Sequence, residues 1–188
     1  MYPMNQFEPA PGDADVPDVP ELADDGELVS FWELARKHVG LDRLDVITGP
    51  DAAGEVPPAA YAFGDTPELA DELLALVLAG TKRATASAVS EFESQGEPVP
   101  SVGDLAIVLD GRGHPRALVR TTQVGVVAFG EVDAEHARLE GEDDLSLEAW
   151  RTAHRAYFAR VAAPGTVVED ATPVVLERFE VRFPEADK

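Results

Sequence analysis

The stretch that decides the fold is residues 66–87, which read TPELADELLALVLAGTKRATAS. It opens on a threonine that can cap a helix and on a proline that suits the first helical turn. Leucine and valine then recur at helical spacing up to Gly80, a residue type common at helix ends. Small and β-branched residues alternate from 84 to 87, which favours a strand. The stretch therefore predicts a helix, a tight turn that carries Lys82 and a strand that carries Thr85.

The rest of the chain adds strands and helices around this unit. A connector at 49–58, rich in glycine, proline and small residues, leads into a short apolar run at 61–64. The other predicted elements are strands at 105–109, 117–127 and 174–183 and helices at 30–40, 133–139 and 146 to about 161. Antiparallel strands with few helices indicate an α+β domain or a small β-barrel rather than a parallel nucleotide-binding sheet.

The domain organisation is simple, because 188 residues suffice for one domain with its own core. Residues 1–28 hold eight acidic residues and five prolines but no lysine or arginine. Such a segment cannot bury enough apolar surface to offset the entropy of ordering it. We therefore predict a disordered acidic tail at 1–29, an ordered domain at 30–184 and a C-terminal tail at 185–188. Ser30 has the spacing of a helix cap and is the expected start of order.

Composition narrows the possible partners. A formal net charge of −21 and a sequence pI near 4.3 disfavour long duplex DNA, because nucleic-acid binders usually carry a basic patch. A nucleoside-sized ligand carries no such penalty, and the acidity also suits a simple solvated surface. The chain has no cysteine, so disulfides are excluded and a reducing cytoplasm is the expected compartment. No apolar run approaches the roughly 20 residues of a membrane span, so no membrane partner is expected.

Lys82 and Thr85 are the first candidates for chemistry. In a strand over 84–87, Thr85 shares a face with Ser87, and the preceding turn can bring the lysine amine over that face. An amine beside a hydroxyl can activate the hydroxyl as a nucleophile or stabilise the oxyanion that forms. The structural alternative is that Lys82 caps the negative end of the helix, an interaction worth about 0.3–1 kcal/mol.

Three parts of the sequence resemble the ASCH domain family. They are the segment 61–87 with its Leu-Ala-Gly-Thr-Lys turn, the Val-Gly-Asp-Leu run at 102–105 and the helix at 150–158, which is similar to that of longer bacterial members. The resemblance covers roughly residues 30–184. It implies an α+β fold with a small PUA-like β-barrel of mostly antiparallel strands flanked by helices, related to domains that bind RNA.

The resemblance also implies an activity. One branch of the family removes acyl groups from the exocyclic amine of cytidine with a lysine, a threonine and a glutamate, which match Lys82, Thr85 and Glu140. Glu140 ends a His-Ala-x-x-Glu run that begins at His136. The resemblance implies that Thr85 attacks the amide carbonyl and that Lys82 handles the proton or stabilises the oxyanion. Glu140 would orient the lysine or protonate the leaving amine, although its acidic neighbours are more typical of a solvated surface.

Ser87 departs from that branch, which has an arginine at this position, so we expect substrate anchoring to differ. Arg83 lies close by and is a candidate for the same work. The expected substrate-binding residues are Tyr61, Phe63, Arg83, Ser87, Trp150 and His154. The aromatic and imidazole side chains among them can stack on an unpaired base, but each also suits a core position.

The sequence predicts no cofactor and no metal site. The acidic run lacks the alternating pattern of a calcium loop, and no pair of histidines has zinc spacing on one helix face. Three functions remain open: an amidohydrolase acting on a modified pyrimidine nucleoside, a non-catalytic module that binds short RNA, and a ribonuclease.

Overall fold

The computed structural model describes residues 25–40, 56–161 and 167–184. Its helices are α1 (Asp25–His38), α2 (Pro67–Leu78), α3 (Val89–Gln95), α4 (Ala134–Glu140) and α5 (Leu147–Val161). Its strands are β1 (Ala59–Tyr61), β2 (Ala84–Ala88), β3 (Leu105–Leu109), β4 (Pro115–Ala128) and β5 (Pro173–Phe183). A short 3-10 helix at Phe129–Glu131 follows β4. No helix in these three ranges is both long enough and apolar enough for a membrane span.

The strands form one sheet in the order β1-β3-β4-β5-β2. The pairs β3–β4, β4–β5 and β2–β5 are antiparallel, whereas β1 pairs with β3 in parallel. A parallel pair needs a crossover connection, which here contains α2, β2 and α3. The sheet curls into a half-barrel, which confirms the predicted α+β fold with a mostly antiparallel, barrel-like sheet.

The two faces of the sheet pack against different helices. The α5 face, named for its main helix, carries the alanines of β2 and packs against Trp150 and Phe158. The α2 face carries Val119 and Phe179 and packs against Leu73 and other apolar residues of α2. Successive residues of a strand point to opposite faces, so Thr85 and Ser87 lie on the α2 face.

The predicted helix, turn and strand at 66–87 are confirmed. The Thr66 side chain accepts a hydrogen bond from the amide of Leu69 at the start of α2. At the other end, Gly80 takes φ +70°, a left-handed conformation that glycine adopts without steric cost. The amides of the next two residues both donate to the carbonyl of Leu76, which folds the turn back onto the helix. Lys82 thereby follows the last turn of α2 directly.

The structure also corrects one helix boundary and adds one helix. Helix α1 begins at Asp25, so Ser30 is not its cap; the Ser30 hydroxyl donates instead to the carbonyl of Gly26, within the helix. Helix α3 was not predicted from the sequence, and the Glu91 carboxylate caps its start by accepting the amide of Ala88. The predicted strands and the two later helices are confirmed to within one or two residues. Residues 1–24 of the tail expected at 1–29, the expected tail at 185–188 and most of the 49–58 connector lie outside the described residues.

Candidate active site

Lys82 is among the most completely buried side chains of the described chain, with 1% of its surface exposed. Its Nζ lies 3.2 Å from Oε2 of Glu140 and 2.5 Å from Oε1 of Glu142. The same nitrogen lies 5.1 Å from the centre of the Phe63 ring. Burial lowers the pKa of the Lys82 amine, but the two carboxylates outweigh burial and raise it above its ordinary value. Lys82 is therefore an ammonium group at neutral pH. It is buried and paired with two carboxylates, unlike an exposed lysine that caps a helix.

Glu140 is the centre of a second layer of contacts behind Lys82. Besides the lysine, its carboxylate accepts the indole N–H of Trp150 at 2.7 Å. It also lies 3.0 Å from Nε2 of His136 and 3.3 Å from Nε2 of His154. Burial alone would raise the pKa of Glu140, but Lys82 and the two imidazoles hold it well below its ordinary range. Glu140 is therefore a carboxylate, even though only 1% of its surface is exposed.

The backbone brings Lys82 and Glu140 together through two neighbouring turns. Gly141 ends α4 with φ +75°, directly after Glu140. A Cβ at Gly141 would lie 2.8 Å from Cγ2 of Thr81, which is too close for any side chain at this position. The amide of Arg83 donates to the carbonyl of Leu139 at 2.8 Å and joins the two turns. The glycine thus allows the close approach that sets the Lys82–Glu140 geometry.

Thr85 lies three residues further on, half-buried on the α2 face of β2. Its cross-strand partner on β5 is Glu177, and directly opposed residues of antiparallel strands share a face. Phe179 lies on this face too, and its ring stacks on Phe63 at 5.9 Å. Because Phe63 also contacts the Lys82 ammonium, it links the lysine to the sheet face that carries Thr85.

The other expected binding residues fall into two groups. Tyr61 contacts Phe63 edge-to-face at 5.3 Å and keeps 37% of its surface exposed. Arg83 is exposed beside the turn, and Ser87 is half-buried on the same face as Thr85. These residues border the candidate site, while Phe63 is buried beneath it.

Trp150 and His154 form the second group, which lies in the core. Their rings stack at 4.1 Å, and Trp150 also stacks on Phe129 at 5.3 Å. Both side chains are buried and contact Glu140. Their place in the structure matches the core alternative, and their contact with the candidate site runs through Glu140.

Three neighbours of the predicted site residues had no assigned role in the sequence analysis: His136, Glu142 and Glu177. The spacing of four residues between His136 and Glu140 is a helical contact spacing and was a usable signal. Glu142 had no such signal, because its acidic neighbours look alike in the sequence. Glu177 is placed opposite Thr85 by strand register, which the sequence does not show.

Two of the cavities in the described part of the chain are lined by neither Lys82 nor Thr85. One, of about 200 Å³, is lined by His136 and Arg178 among others; the second lies beside the start of α5. Within the same residues, no three acidic, histidine or cysteine side chains are grouped to hold a metal ion. Around Lys82, both carboxylates pair with the ammonium group itself.

Comparison with known proteins identifies the class. Residues 59–182 match the model of the ASCH domain family, so the chain belongs to that family, as its sequence predicted. The fold is PUA-like, a fold often linked to RNA binding. Comparison with curated proteins gave no match.

Two solved structures are similar over most of the chain. The ASCH domain from Lactobacillus crispatus JV V101 is 29% identical, with a TM-score of 0.63, and the match covers 78% of this chain and 94% of that one. Protein EF3133 from Enterococcus faecalis V583 is 28% identical, with a TM-score of 0.64, and the match covers 79% of this chain and 88% of that one. Both similarities support the domain assignment beyond the fold alone.

Proposed function

We propose that this ASCH domain hydrolyses the amide of an N4-acylated cytidine, with Thr85 as the nucleophile. The observation that supports this best is the buried ammonium of Lys82, fixed by Glu140 and linked through Phe63 to the sheet face of Thr85. A fixed positive charge in a site of low dielectric stabilises a developing oxyanion far more than the same charge in water. The arrangement therefore suits attack of a hydroxyl on an amide carbonyl.

The charge states favour one of the two roles considered for each residue. The raised pKa of Lys82 favours stabilisation of the oxyanion over removal of a proton, because the amine already carries its proton. The lowered pKa of Glu140 favours orientation of Lys82 over protonation of the leaving amine. Trp150 and His154 support this orientation by holding the Glu140 carboxylate.

Glu142 is the more accessible partner of Lys82, with 23% of its side chain exposed. A substrate carbonyl that approaches Lys82 from the solvent side takes the place of the Glu142 carboxylate. Tyr61, with 37% of its surface exposed, is an aromatic candidate for stacking on the base. Arg83 and Ser87 are the polar candidates for anchoring the ribose or a neighbouring phosphate. The net charge of −21 favours a free nucleoside or short RNA over a long polyanion.

The test is release of cytidine from N4-acetylcytidine by the purified protein, measured by chromatography. Thr85→Ala is expected to abolish turnover, and Lys82→Ala to lower kcat by about 10²–10³-fold, the usual cost of losing an oxyanion stabiliser. Thr122→Ala is the matched control, because Thr122 is an exposed strand threonine whose hydroxyl donates to the carbonyl of Arg178. Its turnover should stay within twofold of the unmodified protein. Lack of turnover by the unmodified protein across a panel of acylated nucleosides contradicts the proposal.

A non-catalytic RNA-binding module is the second candidate, and the PUA-like fold is the observation that favours it. This function predicts a gel shift with short RNA that weakens steeply with salt, because basic residues would contact phosphates. It also predicts that Thr85→Ala leaves binding unchanged. Turnover without such a shift separates the two functions.

A further inference from the structure

The α2 face carries a polar cluster around Thr85, and none of the roles above uses its glutamate. We call it the Glu177 cluster; it consists of Thr85, Glu177 and Thr121. Thr85 and Glu177 are paired across β2 and β5, where the Cβ atoms of opposed residues lie about 4.5–5.5 Å apart. At that separation a glutamate carboxylate can reach the hydroxyl of a threonine.

Thr121 fixes the carboxylate from the other side. Its hydroxyl donates to Oε2 of Glu177 at 3.3 Å, across β4 and β5. Thr121 is buried and Glu177 is half-buried, so this bond restricts the glutamate where few solvent molecules compete. The contact engages Oε2 and leaves Oε1 as the oxygen that can turn towards Thr85.

The proposed nucleophile also needs a proton acceptor. Lys82 carries its proton already, and the Glu140 carboxylate accepts from Trp150 while it contacts Lys82, His136 and His154. Neither group is suited to take the hydroxyl proton. Glu177 is the carboxylate opposite Thr85, and its place in the register supplies the missing role.

The environment of Glu177 suits proton transfer. Burial raises the pKa of the carboxyl, the Thr121 hydroxyl opposes that rise, and the nearby Asp104 carboxylate adds to it. Burial of the phenol group and the charge of the Glu177 carboxylate both raise the pKa of Tyr61, so its phenol is neutral. A carboxylate with a raised pKa is a stronger base than one held ionised by cations.

We propose that Glu177 is the general base and acid of the reaction, a role that rests on the proposed function of Thr85 as nucleophile. As Thr85 Oγ1 bonds to the acyl carbon, its proton passes to Glu177 and the carbonyl oxygen becomes an oxyanion beside Lys82. When the carbon–nitrogen bond breaks, Glu177 returns the proton to the departing N4 amine and an acyl ester remains on Thr85. Water then attacks the ester and gives a proton to Glu177. The ester bond breaks, the acid leaves and Thr85 recovers the proton.

The experiment follows acylation of Thr85 itself, so that it does not depend on the identity of the natural substrate. The purified full chain is treated with p-nitrophenyl acetate over a range of pH. Release of p-nitrophenol gives the rate of acetylation, and peptide mass spectrometry after an acid quench places the acetyl group on Thr85. Glu177→Gln should slow acetylation of Thr85 at least 100-fold and remove the fall in rate at acid pH. Glu177→Asp should restore part of the rate.

Glu180→Gln is the matched control. Glu180 lies on β5 too, but it points to the other face and pairs with Arg120 and Arg182 at the surface. Its rate should stay within twofold of the unmodified protein. Circular dichroism and thermal unfolding of each variant confirm that the fold is intact.

The outcomes distinguish the proposal that Glu177 is the base from the proposal that N4-acylated cytidine is the substrate. Glu177-dependent acetylation of Thr85 without turnover of N4-acetylcytidine supports the base and overturns the proposed substrate. Turnover of N4-acetylcytidine at the normal rate by Glu177→Gln overturns the base while the proposed function stands. Absence of both acetyl-Thr85 and p-nitrophenol release above the uncatalysed rate in the unmodified protein overturns the base as well, because no activated hydroxyl is then present.

Discussion

Glu140 and Glu177 are two carboxylates of one domain whose pKa values are shifted in opposite directions. Glu140, from the end of a helix, is the more deeply buried, yet its pKa lies well below the ordinary range. Glu177, from a strand, is only half-buried, yet its pKa is raised. Burial raises the pKa of both groups, so burial cannot account for the difference. The partners do: Lys82 and two histidines surround Glu140, whereas a hydroxyl and another carboxylate lie near Glu177.

This difference suggests two separate roles within the candidate site. The Lys82–Glu140 pair is a fixed, fully charged unit that can stabilise negative charge without changing its own protonation. The Glu177 cluster, as proposed, is the part that changes protonation during the reaction. Mutations on the two sides should therefore differ in their effects on stability as well as on turnover.

The largest expected effect on stability is at the Lys82–Glu140 pair. Lys82→Met leaves Glu140 buried without its main cation, a change that typically costs about 3–5 kcal/mol of unfolding free energy. Lys37→Met is the control, since Lys37 is 63% exposed in a surface pair with Glu33 and should change stability by less than about 0.5 kcal/mol. Urea unfolding of both variants measures the contrast. Equal stability of the two variants would contradict the description of Lys82–Glu140 as a buried, mutually dependent pair.

The pH dependence of stability should distinguish the two carboxylates. A lowered pKa means that Glu140 contributes stability above about pH 5, which is lost as the pH falls through its folded pKa. The raised pKa of Lys82 adds stability below about pH 10, lost as the pH rises through its folded pKa. The raised pKa of Glu177 has the opposite sign for an acid, because ionisation then disfavours the folded state.

Glu140→Gln should therefore lower stability at pH 7 and flatten its loss in acid. Glu177→Gln should leave stability at pH 7 unchanged or higher, because it removes a partly buried charge. Thermal unfolding of both variants from about pH 2 to about pH 10 gives the comparison. If both variants lose stability equally at neutral pH and gain nothing in acid, the contrast between the two sites is wrong.

The sequence predicted the parts of this comparison that depend on local signals. Thr66 and Gly80 define the ends of α2 through capping and a left-handed turn, so the position of Lys82 after the helix could be predicted. Alternation in β2 correctly placed Thr85 and Ser87 on one face. The family pattern supplied Glu140, whose burial no local signal shows.

The remaining features depend on contacts between distant parts of the chain. Glu177 lies opposite Thr85 because of the β2–β5 register, which is set by packing of the whole sheet. Glu142 reaches Lys82 because two turns approach at Gly141, and neither turn contains a signal for the other. The early start of α1 was not predicted for a different reason. Its first residues have the same acidic composition as the predicted tail.

Gly141→Ala, next to the Lys82–Glu140 pair, should lower the unfolding free energy by an intermediate amount. The residue has φ +75°, and its new Cβ would lie 2.8–2.9 Å from Thr81 atoms, backbone included. Strain and overpacking together predict a loss of about 2–4 kcal/mol. Gly96→Ala is the control, because Gly96 has a similar φ of +69° with nothing within 4 Å of the new Cβ, so that strain alone predicts about 1–2 kcal/mol. Equal losses in the two variants would show that the approach of the two turns is not tight.

The smallest effect on stability is expected at Glu142, the solvent-accessible partner of Lys82. Glu142→Gln keeps the shape of the side chain and leaves Lys82 paired with Glu140, so stability should change by less than about 1 kcal/mol. Because the proposed substrate carbonyl takes the place of the Glu142 carboxylate, the variant should lower KM for N4-acetylcytidine about three- to tenfold, up to about 1.4 kcal/mol. Asp143→Asn, at an exposed neighbour, should leave KM unchanged. A lower kcat with unchanged KM in Glu142→Gln would instead make Glu142 a positioning residue for Lys82, like Glu140.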